Sequence, residues 1–284
     1  MGAASYTLVP IPNKGLGLVA TKDIVYGELI FEEKPVLDTS FDEGLDEQFH
    51  KLSENEQNQV MDLANEFPED EKLQGIMKTN CHYKDTKDAI LCLLASRLNH
   101  SCMPNVLTTF NGVYERAIAK RNISKGEELC SSYSDLNIAL SRVKEDLKLE
   151  YRFNCKCELC TLKDEEERKV IETNRLKYGE LDTKLDRTYA ESSNHQERLK
   201  QVKELFETMR LGKLSCPGLI ARNAYDGFQA SLLCRNHSEA VKYIKQAYEA
   251  NLITEGEDNS ITKEFLSLMI NPEQHILFNG WSHE

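Results

Sequence analysis

Short apolar runs broken by turn formers occupy the front of the chain. Tyr6-Thr7-Leu8-Val9, Gly17-Leu18-Val19-Ala20 and Leu29-Ile30-Phe31-Glu32-Glu33 are rich in Val, Leu, Ile and Phe and are separated by Pro, Asn and Gly, which predicts three strands. Lys14-Gly15-Leu16-Gly17 is read as a tight turn between the first two, where two glycines admit positive φ and let a ligand approach the main chain. From Asp38 to Phe67 the period becomes helical: Leu45, Phe49 and Leu52 fall at i, i+4 and i+7, and Ser53 with Glu56 forms a capping box ahead of Val60, Leu63 and Ala64. The apolar run from Ala89 to Leu98 also reads as helical, and a polar stretch ending in Pro104 stops it. Residues 106 to 133 return to strands. Val106 to Phe110, Asn111-Gly112 and Val113 to Ala119 form a hairpin pattern with a type I′ turn. Ile123 to Glu127 is a second turn, leading into a strand from Leu129 to Tyr133.

Behind Cys160 only helical patterns remain. Glu165 to Leu176 is charged, and Leu199, Val202, Phe206 and Met209 recur at helical spacing before Gly212. Pro217 opens a helix with Ile220, Ala224, Phe228 and Leu232. Ser238 is read as the cap of another carrying Val241, Ile244 and Tyr248, and a last helix spans about Ser260 to Ile270. The pairing resembles tetratricopeptide hairpins, without a clean 34-residue repeat. Many short strands followed by helices give an α+β chain: a β-rich domain over residues 1–162 with a helical insertion at about 38–80, then a helical lobe over 163–284.

Composition narrows the chemistry. At 284 residues with 40% hydrophobic and 29% charged positions, the chain can bury a core without disulfides. No apolar run reaches the roughly 20 residues that span a bilayer, and the start lacks the basic and apolar regions of a signal peptide, so an intracellular protein, nuclear or cytoplasmic, and no membrane partner are expected. The net charge of −12 speaks against binding nucleic acid by phosphate neutralisation and suits a basic peptide. A monomer is expected.

Three of the nine cysteines crowd into Cys155-Lys156-Cys157-Glu158-Leu159-Cys160, which favours a metal over disulfides in a reducing compartment. A closed zinc site needs a fourth ligand, and Cys81, Cys92, Cys102 and Cys216 are candidates, Cys92 being better suited to the core. Asn99-His100-Ser101-Cys102-Met103-Pro104-Asn105 is too polar for a core segment.

In chain order, that segment, Gly126-Glu127-Glu128-Leu129 through Tyr133, and the Cys155–Cys160 cluster resemble the NHSCxPN, GEELxxxY and CxCxxC signatures of the SET-domain protein lysine methyltransferases. The resemblance covers about residues 5 to 162. It is closest to the SET-and-MYND branch without the MYND finger, because no cysteine precedes Asn80. It implies S-adenosylmethionine and zinc as cofactors, a protein or histone-tail lysine as substrate, and a knot-like threading of the Asn99–Asn105 and Tyr133 segments. For zinc it selects Cys102 beside Cys155, Cys157 and Cys160. For the cofactor it implies Lys14, Gly15, Leu16 and Gly17 around the methionine end, with Asn80, Asn99, His100, Tyr133 and the adenine-stacking Phe153. Tyr133 and Tyr151 would line the lysine channel as catalytic residues. The family has an arginine where this chain has Leu16. The alternative is a zinc-stabilised interaction module with the same fold and weak catalysis.

Overall fold

Strand β1 (Tyr6–Ile11) turns back onto β2 (Gly15–Ala20) through Pro12-Asn13-Lys14. The computed structural model describes residues 4–41, 44–84, 87–134, 139–188 and 194–278; the start of the chain, read above for a leader, lies outside them. Contacts divide the chain into two units, Met1–Ser134 with Val143–Cys160 and Asp135–Arg142 with Thr161–Glu284.

The first unit also holds β3 (Leu29–Glu33), β4 (Leu37–Asp38), helices α1 (Leu45–Lys51), α2 (Glu54–Met61) and α3 (Lys72–Asn80), then β5 (His82–Tyr83), β6 (Ala89–Leu91), β7 (Asn99–His100), β8 (Val106–Phe110), β9 (Glu115–Ala119) and β10 (Glu128–Ser131). They make three small sheets, ordered β1-β2-β10-β7, β3-β9-β8 and β4-β6-β5. One core joins them, with Leu18, Ile30, Ile90, Leu98, Val106, Ala117 and Leu129 buried together. The insertion packs separately: Val60, Leu63, Leu73 and Ile76 close on Leu37 and Leu91. Its capping box is formed, with the Glu56 N–H donating to Ser53 Oγ and the Ser53 N–H to Glu56 Oε2.

Helix α4 (Leu140–Glu150) contains the boundary between the units. The second unit continues with α5 (Glu165–Thr188), α6 (His195–Leu211), α7 (Pro217–Leu233), α8 (His237–Glu255) and α9 (Ser260–Ile270). Small residues Ala224, Ala240 and Ala247 let α7 and α8 approach around Phe228 and Ile244.

Four local expectations change. The turn after β1 is Pro12-Asn13-Lys14, because Asn13 itself takes φ 61°, and Gly15 and Gly17 therefore stand in β2. The run from Ala89 is not a helix but β6 followed by a 3-10 turn at Ala95–Arg97; with Ile90, Leu91 and Cys92 all fully buried it carries no period to separate the two. The Asn111-Gly112 hairpin is a four-residue loop, since Asn111 Oδ1 accepts from the N–H groups of Val113 and Tyr114 and delays β9 to Glu115. Asn236, not Ser238, caps α8 by accepting from the Glu239 N–H.

Candidate active site

Strand β10 gathers the motifs. It pairs antiparallel with β2, Leu129 opposite Leu18, and parallel with β7, where Cys130 faces Asn99 and Ser131 faces His100. Asn105 fixes the far end of the polar segment. Its amide donates to Glu127 Oε1 and the Glu128 carbonyl and accepts from the Cys130 N–H at 2.8 Å. Such saturation of a buried amide makes its position specific.

On the β2 side lies a bare stretch of backbone. Asn99 Nδ2 donates to the Leu16 carbonyl at 3.2 Å and to Glu128 Oε1 at 2.9 Å, and Glu128 Oε2 receives Lys14 Nζ at 2.7 Å. A Cβ at Gly17 would stand 2.6 Å from both Asn99 Nδ2 and Ile11 Cγ1, while Gly15, at φ 76°, faces open space. Partial burial alone would lower the Lys14 pKa, but the Glu128 carboxylate outweighs it and raises it. The cradle thus offers a fixed cation, an anion and exposed main chain to one small zwitterionic group.

On the β7 side four aromatic rings converge. The Tyr133 N–H donates to His100 Nδ1 at 3.0 Å, so the proton of the neutral imidazole sits on Nε2, 3.3 Å from Cys102 Sγ. The Tyr133 hydroxyl donates to the Leu98 carbonyl at 2.8 Å, and the Tyr151 hydroxyl to the Tyr133 carbonyl at 3.4 Å. The rings of Tyr151 and Phe153 lie 5.0 and 6.3 Å from that of Tyr133. Burial pushes the Tyr133 phenol above its ordinary range and Tyr151 to about 12, so both stay protonated at neutral pH.

Tyr133 and Tyr151 open on a cavity of about 200 Å³ whose walls include Leu98, Thr108, Phe110 and Ser131. Among the described residues its lining has one carboxylate, Glu115, joined to His82 Nδ1 at 2.8 Å, and no lysine or arginine. That balance suits an entering cation.

The four sulfurs of Cys102, Cys155, Cys157 and Cys160 lie within 4.8 Å of one another. Cys102 Sγ is 3.9 Å from Cys155 and 3.5 Å from Cys160, close to the roughly 3.8 Å edge of a tetrahedron with 2.3 Å zinc–sulfur bonds. Hydrogen bonding from Cys102 holds Cys155 and Cys157 below the usual thiol range, Cys157 at about 5. The donor set and its spacing fit one zinc ion. Among the candidates for a fourth ligand, Cys92 is fully buried in the core, as its position in an apolar run implies.

Lys14, Gly15, Leu16, Gly17 and Asn99 therefore meet at one cradle, and His100, Tyr133, Tyr151 and Phe153 at the adjoining cluster. Asn80 lines the cavity, but its amide hydrogens go to the carbonyls of Ala64 and Ile76, which tie down the insertion. The sequence reading passed over Glu128, which holds both Lys14 and Asn99. Its signal was there, as the second glutamate of the Gly126-Glu127-Glu128-Leu129 motif. Glu115 gave no signal, because its role follows from a strand pairing.

The family profile described as SET domain matches residues 15–134. The chain is 29% identical over 285 residues to histone-lysine N-methyltransferase set5 of Schizosaccharomyces pombe, an alignment covering 97% of this chain and 86% of that protein. It is 34% identical over 112 residues to human N-lysine methyltransferase SMYD2, covering 37% of this chain and 26% of that one, and 36% identical over 113 residues to SMYD2-A of Danio rerio, with the same shares. The region that is similar to a SET domain holds β2, β7 and β10, the strands that carry the cradle and the aromatic cluster.

Proposed function

We propose that this protein transfers methyl groups from S-adenosylmethionine to lysine side chains of proteins, histones included. The observation that carries the reading is the juxtaposition, across β10, of a glycine-bared cradle at Asn99 with a tyrosine-walled cavity suited to a cation. The relatives named above are histone-lysine and N-lysine methyltransferases.

S-adenosylmethionine fits the cradle on one structural test: a Cβ at Gly15 would meet nothing within 4 Å, so the main chain there is open to contact. Lys14 would hold its carboxylate, Asn99 and Glu128 its amino-acid and ribose polar groups, and Phe153 its adenine. Once bound it would supply an electrophilic sulfonium methyl group to a lysine amine that has already lost its proton to solvent.

The remaining work falls to the protein. Tyr133 has committed its hydrogen to the Leu98 carbonyl, which leaves its oxygen lone pairs to accept from the substrate amine and orient it. Tyr151 braces that tyrosine through its carbonyl. The narrow cavity favours a neutral amine, since removal from water disfavours the ammonium form. Neither phenol acts as the proton acceptor, because both remain protonated at neutral pH. Cys102, Cys155, Cys157 and Cys160 would hold zinc as a structural tie between the Asn99–Asn105 segment and the end of the domain.

The double attachment of residues 99–105 to β10 supports a knot-like threading of these two segments. We take the domain to end near residue 162 and residues 163–284 to be a tetratricopeptide-like helical lobe, in a monomeric protein of the nucleus or cytoplasm. Labelled methyl transfer onto a histone panel and whole-cell lysate tests the reading, with Tyr133→Phe as control. No transfer to any lysine, with cofactor binding intact, would leave the interaction module.

A further inference from the structure

Arg152 stands between Tyr151 and Phe153 with φ 55°, a left-handed backbone that a residue with a side chain seldom takes. The two rings flanking this bend both lie against Tyr133. Strained backbone persists where its surroundings hold it, and here the holding contacts come from 83 positions earlier in the chain. The guanidinium donates from both terminal nitrogens to the two carboxylate oxygens of Glu69 and lies 4.6 Å from the centroid of the Phe67 ring.

The surface it grips is itself fixed. The Phe67 N–H donates to Asn65 Oδ1, the Glu66 N–H to Thr79 Oγ1 and the Asp70 N–H to the Phe67 carbonyl. Lys78 bonds Asp70 and covers the Phe67 ring at 5.5 Å. Helix α3 comes close enough that a Cβ on Gly75 would stand 2.7 Å from the Phe67 carbonyl. A planar, two-pronged, stacked guanidinium on such a base fixes direction as well as distance.

We propose that Arg152 is a positioning residue for methyl transfer: its clamp on Phe67 and Glu69 of the helical insertion sets the bend that places Tyr151 and Phe153 against Tyr133. Phe67 and Glu69 of the insertion thereby act on the aromatic wall without themselves lining the cavity. The ion pair is half exposed, at 43% for Arg152 and 54% for Glu69. An exposed pair contributes little to stability, so its consequence is read in geometry and rate, not in melting. The proposal rests on the methyltransferase reading for its effect on turnover, but not for its effect on the rings.

The test uses the full chain labelled with 3-fluorotyrosine, the Tyr133 and Tyr151 fluorine resonances being assigned by Tyr→Phe variants. Glu69→Arg and Arg152→Glu should each move both resonances and lower kcat by about ten- to a hundredfold, the range that small misplacements in an active site produce, with thermal melts close to wild type. The exchange of the two charges in one protein should return the resonances and turnover towards wild type. Arg152→Gly, which adopts the bend freely, should behave like the single reversals. Unmoved resonances in the single variants, a charge exchange as impaired as either single, or a wild-type Arg152→Gly would each overturn the clamp. Resonances that move and are restored in a protein without methyl transfer would sink the proposed reaction and support the clamp.

Discussion

The backbone N–H of Tyr133 donates to Nδ1 of His100 at 3.0 Å, and that bond turns the other imidazole nitrogen towards Cys102 Sγ, 3.3 Å away. One buried ring thus joins the tyrosine that lines the cavity to the sulfur cluster. The link is polar at both ends and its ring is buried, His100 being 4% exposed.

His100→Phe keeps a planar ring and removes both bonds. The Tyr133 N–H is then left without its acceptor, at a cost of about 1–3 kcal/mol. Urea denaturation of both proteins measures it. An unchanged midpoint and slope would show that the bond does not hold Tyr133.

Purified protein should contain one zinc per chain by elemental analysis. Cys157→Ser removes a thiolate from a closed four-sulfur set, and structural zinc sites contribute folding free energy directly. The variant should therefore lose the metal and melt at lower temperature, and a strong chelator should do the same to wild type. Metal-free wild-type protein with an unaltered melt would refute the assignment.

The parts of this site that were legible in the sequence are those where chemistry is local. Cys155, Cys157 and Cys160 sit within six positions, and Asn99 to Asn105 stands out as a polar run; that it is too polar to be core does not hold, since the fold buries His100, Cys102, Pro104 and Asn105. Hydrophobic period with its end signals gave α7 and α9 within a residue or two, and of α6 the end before Gly212 but no start. It failed at Ala89–Leu98, where Ala89 to Cys92 are buried without a break and strand and helix look alike. The turn after β1 was misplaced because Asn13 took the left-handed position assigned to a glycine. Glu128, Glu115 and Arg152 act through partners 29 to 114 positions away, and only the folded chain brings those together.

Tyr133→Phe should lose most turnover while cofactor affinity stays within a small factor. In the proposed reaction the hydroxyl would accept from the amine; it donates to the Leu98 carbonyl, whereas the ring packs on Tyr151 and Phe153. Loss of the Leu98 bond should destabilise the fold by about 1 kcal/mol, which a melt can register separately from rate. Unchanged turnover would remove Tyr133 from the mechanism.

The cradle makes the sharpest prediction, because two neighbouring glycines serve different ends. Gly15 faces open space at φ 76°, so Gly15→Ala meets only backbone strain of about 1–2 kcal/mol. Gly17→Ala instead drives a methyl group to within 2.6 Å of Asn99 Nδ2 and Ile11 Cγ1. Asn99 must then give up its bonds to the Leu16 carbonyl and Glu128, and with them the orientation of the cradle. Asn99→Ala reaches the same end by leaving those acceptors unpaired, at about 1–3 kcal/mol each. Calorimetric titration with S-adenosylmethionine should accordingly show a loss of ten- to a hundredfold or more for Gly17→Ala and for Asn99→Ala, and a small change for Gly15→Ala. Leu16→Arg adds a guanidinium able to bind a carboxylate two-pronged, and should leave affinity equal or improved. Thermal melts of all four variants separate a lost pocket from a lost fold. A folded Asn99→Ala or Gly17→Ala that binds like wild type would move the cofactor site away from β2 altogether.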